Sequence, residues 1–339
     1  MKSRSLAVGL AAAAGMMVLI LDSRTAVEGI REGIDLCLKT LIPSLFPFFV
    51  LSILMTGNLS GRKLQVLRPI GRLCGVPEGC DSLIVTGFLG GYPVGAQSIA
   101  LAWEQGVLSQ EDAKRLLGFC SNAGPAFLFG VVGPAFDTAW VPWLLWAIHM
   151  ASALIVGTLS RAPSGSSKAG LQSEPVSLTQ ALQRAITVMA QVSGWVILFR
   201  MVLTYLDRWF LWMLPGQAQV LASGILELSN GCVQLGQLET EGTRFLAASL
   251  LLALGGICVT LQTCSVTRGL SLRSYFPGKL LQAAFSILMA IGAQLCLPAG
   301  QRCAIHPAVF AGTVLFALIL TCFLRKAQKN SSIPLSVGV

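Results

Sequence analysis

Apolar residues in this chain come in long blocks separated by short polar stretches. A helix needs about 20 predominantly apolar residues to cross a bilayer. Blocks of that size lie near residues 5–21, 38–57, 113–133, 139–159, 186–206, 245–266, 280–297 and 307–324, which predicts about eight transmembrane helices. Two further blocks, about 81–105 and 212–238, have a different pattern. Each holds two apolar pieces, too short to cross singly, joined by a glycine-containing turn. That pattern predicts two re-entrant helical hairpins.

The hairpins and the helices after them carry breaks in matching places. Gly87 to Ala96 interrupts the first hairpin block and Gly224 to Cys232 the second. The following helices break at Ser121-Asn122-Ala123-Gly124-Pro125 and at Leu254-Gly255-Gly256. Gly87, Leu89, Arg115, Leu117 and Gly124 align with Gly224, Leu226, Arg244, Leu246 and Gly255. Each half reads helix, hairpin, broken helix, helix, and the basic flanks orient the halves oppositely. The fold class expected is an all-α polytopic membrane protein with an inverted repeat. Its parts are an N-terminal transmembrane helix (1–27), a first repeat (28–160), a flexible cytoplasmic linker (161–177), a second repeat (178–298), and a last helix with a basic tail (299–339). Broken helices in corresponding positions of two halves are the best sequence pointer to a transporter's binding site.

Composition agrees with lipid as the main solvent. Hydrophobic residues make up 54% of the chain and charged residues 12%, with a mean hydropathy of +0.72. Soluble domains carry about a quarter charged residues. The net charge of +9 would suit nucleic acid, but the basic residues decide otherwise by position. Lys2 and Arg4; Arg62, Lys63, Arg68 and Arg72; Arg161 and Lys168; Arg268, Arg273 and Lys279; and Arg325, Lys326 and Lys329 flank apolar blocks. This is a positive-inside pattern, placing both termini in the cytoplasm if each hairpin enters and leaves on one side. No nucleic-acid partner is expected. The N-terminal block also has the make-up of a secretory signal peptide, but the spans that follow at once favour a first transmembrane helix. Ten cysteines are scattered without any Cys-x-x-Cys, and neither His149 nor His306 has metal-ligand spacing. Arg62 to Cys74 alternates basic and apolar residues, as a membrane-surface segment does.

Candidate binding residues cluster at the breaks. At Gly90-Gly91-Tyr92-Pro93 the chain must turn, and Pro93 suits the first turn of the returning half-helix. The amides of Val94, Gly95 and Ala96 would then face a cavity, and free amides at a helix start attract anions. Asn230-Gly231 supplies the turn of the second hairpin, with Ser229 beside it. The plainer reading is that these glycines only let helices pack closely. Glu227 is a carboxylate inside an apolar block, so it faces a polar cavity or a partner: it binds substrate, carries a proton, or caps loose amides. Arg200 either reaches toward Asp207 and the surface or turns inward to a carboxylate, Glu227 included. Ser121, Asn122, Gly124 and Pro125 at the first break, with Gly255 and Gly256 at the second, close the expected site. No His-Glu-x-x-His and no nucleophile–base pair is present, so neither an enzyme, a cofactor nor a metal is expected.

Several of these motifs also carry a resemblance. Pro43-Ser44-Leu45-Phe46-Pro47-Phe48 with Leu51-Ser52, Gly91-Tyr92-Pro93-Val94-Gly95-Ala96, Asn122-Ala123-Gly124-Pro125 and Glu227-Leu228-Ser229-Asn230-Gly231 resemble the sporulation integral membrane protein family of the YlbJ type. That family belongs to a wider group with nucleoside-recognition gate domains and is similar to concentrative nucleoside transporters. The resemblance implies two hairpins and two unwound helices around a midplane site. It also implies a role in endospore formation and transport of dipicolinate, a small planar dianion, at a forespore-surrounding membrane. Hairpin motifs rich in Gln, Thr and Glu, as in nucleoside transporters, are not found here. The alternatives are a nucleoside transporter and a non-transporting scaffold for the spore envelope. The expected partners are the lipid bilayer and a small anion, with a homo-oligomer or a sporulation partner protein left open.

Overall fold

The computed structural model describes residues 2–59, 64–161, 175–267 and 269–295. The expected span at 307–324, His306, the basic tail, most of the 161–177 linker, and Arg62, Lys63, Lys168 and Arg268 lie outside the described residues. The described elements are all helical, and five helices are long and apolar enough to cross a membrane: Ser23–Leu59, Val141–Leu159, Leu178–Trp209, Glu241–Val266 and Leu272–Leu295. Leu198, Val202, Leu280 and Leu288 are exposed on the outer faces, as helices solvated by lipid require. The chain is an all-α, multi-pass membrane protein.

In chain order the helices are α1 (Lys2–Leu21), α2 (Ser23–Leu59), α3 (Arg68–Leu73), α4 (Ser82–Leu89), α5 (Val94–Glu104), α6 (Gln110–Leu117), α7 (Pro125–Ala135), α8 (Val141–Leu159), α9 (Leu178–Trp209), α10 (Gly216–Leu226), α11 (Leu228–Val233), α12 (Glu241–Leu254), α13 (Gly256–Val266) and α14 (Tyr275–Leu295). Helix α2 is longer than the 38–57 block because its first half is amphipathic rather than apolar throughout. Asp22 caps it by accepting from the Thr25 amide (3.3 Å), and Tyr205 on α9 donates to the Asp22 carbonyl (2.6 Å). Gly29 and Gly33 let α2 lie directly on α9: a Cβ at either would stand 2.7–2.8 Å from the Cα of Met201 or Ile197. Small residues at such a seam permit close backbone approach where lipid gives no hydrophobic drive.

Proline shapes two helices in the same way. The wide turn Cys37–Leu41 precedes Pro43, and the wide turn Leu128–Val132 precedes Pro134. A proline ring collides with the carbonyl four residues back. Each proline directly follows a residue whose bond has moved to the fifth residue back, Ile42 to Cys37 and Gly133 to Leu128, a widening that lets the helix continue past the ring.

The order helix, hairpin, broken helix, helix occurs twice: α2, α4–α5, α6–α7, α8 and then α9, α10–α11, α12–α13, α14. The expected block 113–133 is therefore two helices separated at 118–124, and not one continuous span. The aligned arginines have similar tasks. Arg115 donates to the carbonyls of Cys74 (2.7 Å) and Gly75 (2.5 Å) and pairs with Asp112 (2.9 Å). Arg244 donates to the carbonyls of Leu238 (2.8 Å) and Ala135 (3.3 Å). Each fastens the start of a broken helix to nearby loop backbone. Residues 64–81 fold against the base of the first hairpin, held by Arg68 to Asp81 (3.3 Å) and to the Val76 carbonyl (3.3 Å).

Candidate functional site

The first hairpin turns where the sequence places its turn. α4 ends at Leu89, Gly90 to Pro93 reverse the chain, and α5 starts at Val94 with Pro93 as its cap. Gly91 has φ +71° and lies against Gly124 of the first break, where an added Cβ would sit 3.0 Å from the Gly124 nitrogen. The first tip is thus seated on the first break. Beyond the tip the chain leaves the cavity. The Gly95 amide donates to the Gly91 carbonyl (3.1 Å), Gly95 itself packs on Gly87, and Val94 and Ala96 are core residues. None of Pro93, Val94, Gly95 or Ala96 lines the cavity described below.

The second hairpin turns three residues earlier than expected. Glu227, in extended backbone, separates α10 from α11, while Asn230 and Gly231 sit inside α11. Asn-Gly is a strong turn signal, but here the pair serves other ends. Gly231 packs directly on the Cα of Gly224, which is what brings the two arms together. The Glu227 carboxylate accepts from the amides of Ser229 (3.1 Å) and Asn230 (2.8 Å) and from the Asn230 side chain (2.7 Å). The capping role among those weighed for Glu227 is the one observed. A carboxylate of the chain itself therefore occupies the start of the second half-helix.

The second break contacts both hairpins. Gly255 and Gly256 have φ +75° and +77°, a region open to glycine. A Cβ on Gly255 would be 3.0 Å from the Tyr92 hydroxyl, and one on Gly256 2.9 Å from the Gly224 carbonyl. Between these elements lies one cavity, lined from α2 by Leu45, Phe48 and Phe49 and from the first tip by Gly90, Gly91 and Tyr92. Ala123 and Gly124 line it from the first break, Glu227 and Ser229 from the second tip, and Val259 and Gln262 from α13. Its free space is about 40 Å³. That holds a few waters and is far below the roughly 300 Å³ at which ligand pockets start, so this conformation is closed.

Arg200 does not join this group. Its guanidinium donates twice to Glu32 on α2 (2.7 and 2.9 Å) and lies 3.9 Å from Asp207. The outward alternative holds, and Glu227 is not its partner.

The cation at the breaks is one that the sequence reading placed among the flanking basic residues. Lys279, one turn into α14, is 3% exposed. Its ammonium donates to the Ser121 carbonyl, Gln282 Oε1 (3.0 Å) and the Tyr92 hydroxyl (3.2 Å), with Asn122 Oδ1 at 3.5 Å sharing one of these protons. Gln282 bridges on to Asn122 Oδ1 (3.0 Å) and the His149 carbonyl (3.3 Å), and the His149 ring accepts the Ala123 amide at Nε2 (3.1 Å). Unwound backbone from 118 to 124 needs such partners, since lipid offers none. Pro125, with no amide to satisfy, restarts the helix. Close approach of α14 is possible because Gly278 packs directly on Gly118, where a Cβ on Gly278 would stand 2.9 Å from the Gly118 Cα. The signal was present: Tyr275, Lys279, Gln282 and Ser286 follow 4-3-4 spacing, one polar stripe along a membrane helix.

Comparison with known proteins gives one point of contact. The chain is 25% identical to the sporulation integral membrane protein YlbJ of Bacillus subtilis (strain 168), in an alignment of 323 residues covering 80% of this chain and 78% of that protein. No family model and no solved structure matches.

Proposed function

We propose that this protein is a membrane transporter or facilitator of a small anionic metabolite, with dipicolinate as the first candidate and spore formation as the setting. One observation carries the reading: both hairpin tips and the first helix break line a single closed cavity, with the second break against its wall. Irregular backbone and buried polar groups are costly at membrane depth and persist where they serve a passage. The likeness to a sporulation integral membrane protein supports the setting, and the ligand is what the resemblance of the sequence motifs implies. In this reading the two repeats (28–160 and 178–298) are gate-type units of inverted orientation, the termini are cytoplasmic, and no covalent chemistry is involved. Alternating access comes from the hairpins moving against the long helices α2 and α9.

The test is uptake of labelled dipicolinate into liposomes holding the purified protein, with uridine as competitor. Saturable uptake that uridine leaves unchanged is the expected result. Suppression by uridine would move the substrate to nucleosides. Absence of uptake from correctly folded protein would favour a scaffold without transport.

A further inference from the structure

Lys279 poses a charge problem that its hydrogen bonds do not solve. Its acceptors are a carbonyl, two side-chain amide oxygens and a hydroxyl, all neutral. Among the described residues no Asp or Glu pairs with it. A buried ammonium without a counter-charge is expensive in a membrane protein, and such residues pair or mark a ligand path. The surroundings add donors rather than acceptors. The hydroxyls of Ser121, Thr263 and Tyr275 are each at most 1% exposed, and none makes a hydrogen bond of good geometry. The Tyr275 hydroxyl faces Ser121, Thr260 and Thr263, and its ring centroid is 5.8 Å from the Lys279 ammonium.

We propose that Lys279 and the hydroxyls of Ser121, Thr263 and Tyr275 form a binding subsite for one carboxylate group of the transported anion. Rotatable hydroxyls that meet chiefly one another can turn to donate, and a carboxylate accepts at up to about four positions. One carboxylate cancels one ammonium. A phosphate, at −1.5 to −2 near neutral pH, would leave buried charge unbalanced, and a cation would be repelled. Water would satisfy the hydroxyls but leave proton loss as the lysine's one way to shed its charge.

Tyr92 links this subsite to the cavity. It lines the cavity, and its hydroxyl accepts from Lys279 at the subsite, next to Gly255. Withdrawal of the first hairpin tip would carry Tyr92 away, opening the subsite to the cavity and releasing the ammonium to a ligand. The closed state then keeps Lys279 occupied by the first break's own carbonyl, much as Glu227 keeps the second half-helix start occupied. This inference rests on the anion-transport reading for its physiology, but binding can be measured without transport.

The experiment pairs ligand-induced thermal stabilisation of the purified protein with uptake, using dipicolinate, picolinate and uridine as probes. Wild type should gain about 2 °C or more at saturating dipicolinate and picolinate and nothing with uridine. Lys279→Met should weaken carboxylate binding at least about 30-fold, the cost of losing one partner of a buried charge pair. The apolar isostere removes a buried charge and is expected to fold. Should it aggregate, Ser121→Ala with Thr263→Val, which keeps the lysine, decides by the same readout. Carboxylate binding unchanged in these variants, or absent in wild type, overturns the subsite. Binding that depends on Lys279 without any uptake keeps the subsite and rejects the transport reading instead.

Discussion

A buried carboxylate is worth what its partners make it worth, and Glu227 has three donors within two turns of chain. Replacing it by Ala leaves the amides of Ser229 and Asn230 without a cap in a buried site. Loss of a cap costs about 1 kcal/mol, and each stranded donor adds about 1–3 kcal/mol. Glu227→Ala should therefore destabilise the protein by about 2 kcal/mol or more, read as a lower melting temperature in detergent. Asn230→Ala removes a single side-chain bond, keeps both amide caps, and should cost clearly less. Equal losses would mean that the carboxylate does not act as the cap. From the sequence it was clear that Glu227 needed a polar partner. Which partner was not clear, because residues favoured at helix starts are Ser, Thr, Asp and Asn, and Asn-Gly nearby offered a more familiar turn.

Elements in this fold are positioned by backbone contacts at glycine more than by side-chain bulk. Gly255 needs its left-handed backbone and also gives space to the Tyr92 hydroxyl, while Gly106 has a similar φ of +71° with nothing within 4 Å. The pair separates the two effects. Gly106→Ala should cost only the strain of an L-residue in that region, about 1–2 kcal/mol. Gly255→Ala pays the same strain and pushes on Tyr92, so it should lower the melting temperature further and reduce uptake. Equal shifts would show that the first tip yields freely at the second break. Both breaks and the first hairpin were legible because Gly-Gly-Tyr-Pro, Asn-Ala-Gly-Pro and Leu-Gly-Gly interrupt helices wherever they occur. Lys279 was missed for a physical reason: near the start of a helix a lysine usually reaches out to the interface. Gly278, packed on Gly118, lets α14 come in close enough to bury it.

At the scale of the whole molecule, the closed cavity separates a transporter from a scaffold. An interior with room for a few waters suffices for a structural protein, whereas a carrier must open it in each cycle. Cys258 reports on that opening, since it is fully buried on α13 one residue before Val259 of the cavity wall, and Gln262 donates to its sulfur (3.3 Å). Cys264, two turns on and exposed, supplies a fast reference on the same helix. With every other cysteine replaced, N-ethylmaleimide should label Cys264 at once and Cys258 slowly, because a thiol at zero exposure reacts only during openings. For a carrier, dipicolinate must change the Cys258 rate while leaving Cys264 unaffected: faster if the bound anion favours the open form, slower if it fills the cavity. A rate unaffected by any carboxylate would mean that ligand and cavity are not coupled. The hairpin tips would then be a packed core of a membrane scaffold, and the matched breaks a way of seating two halves on each other.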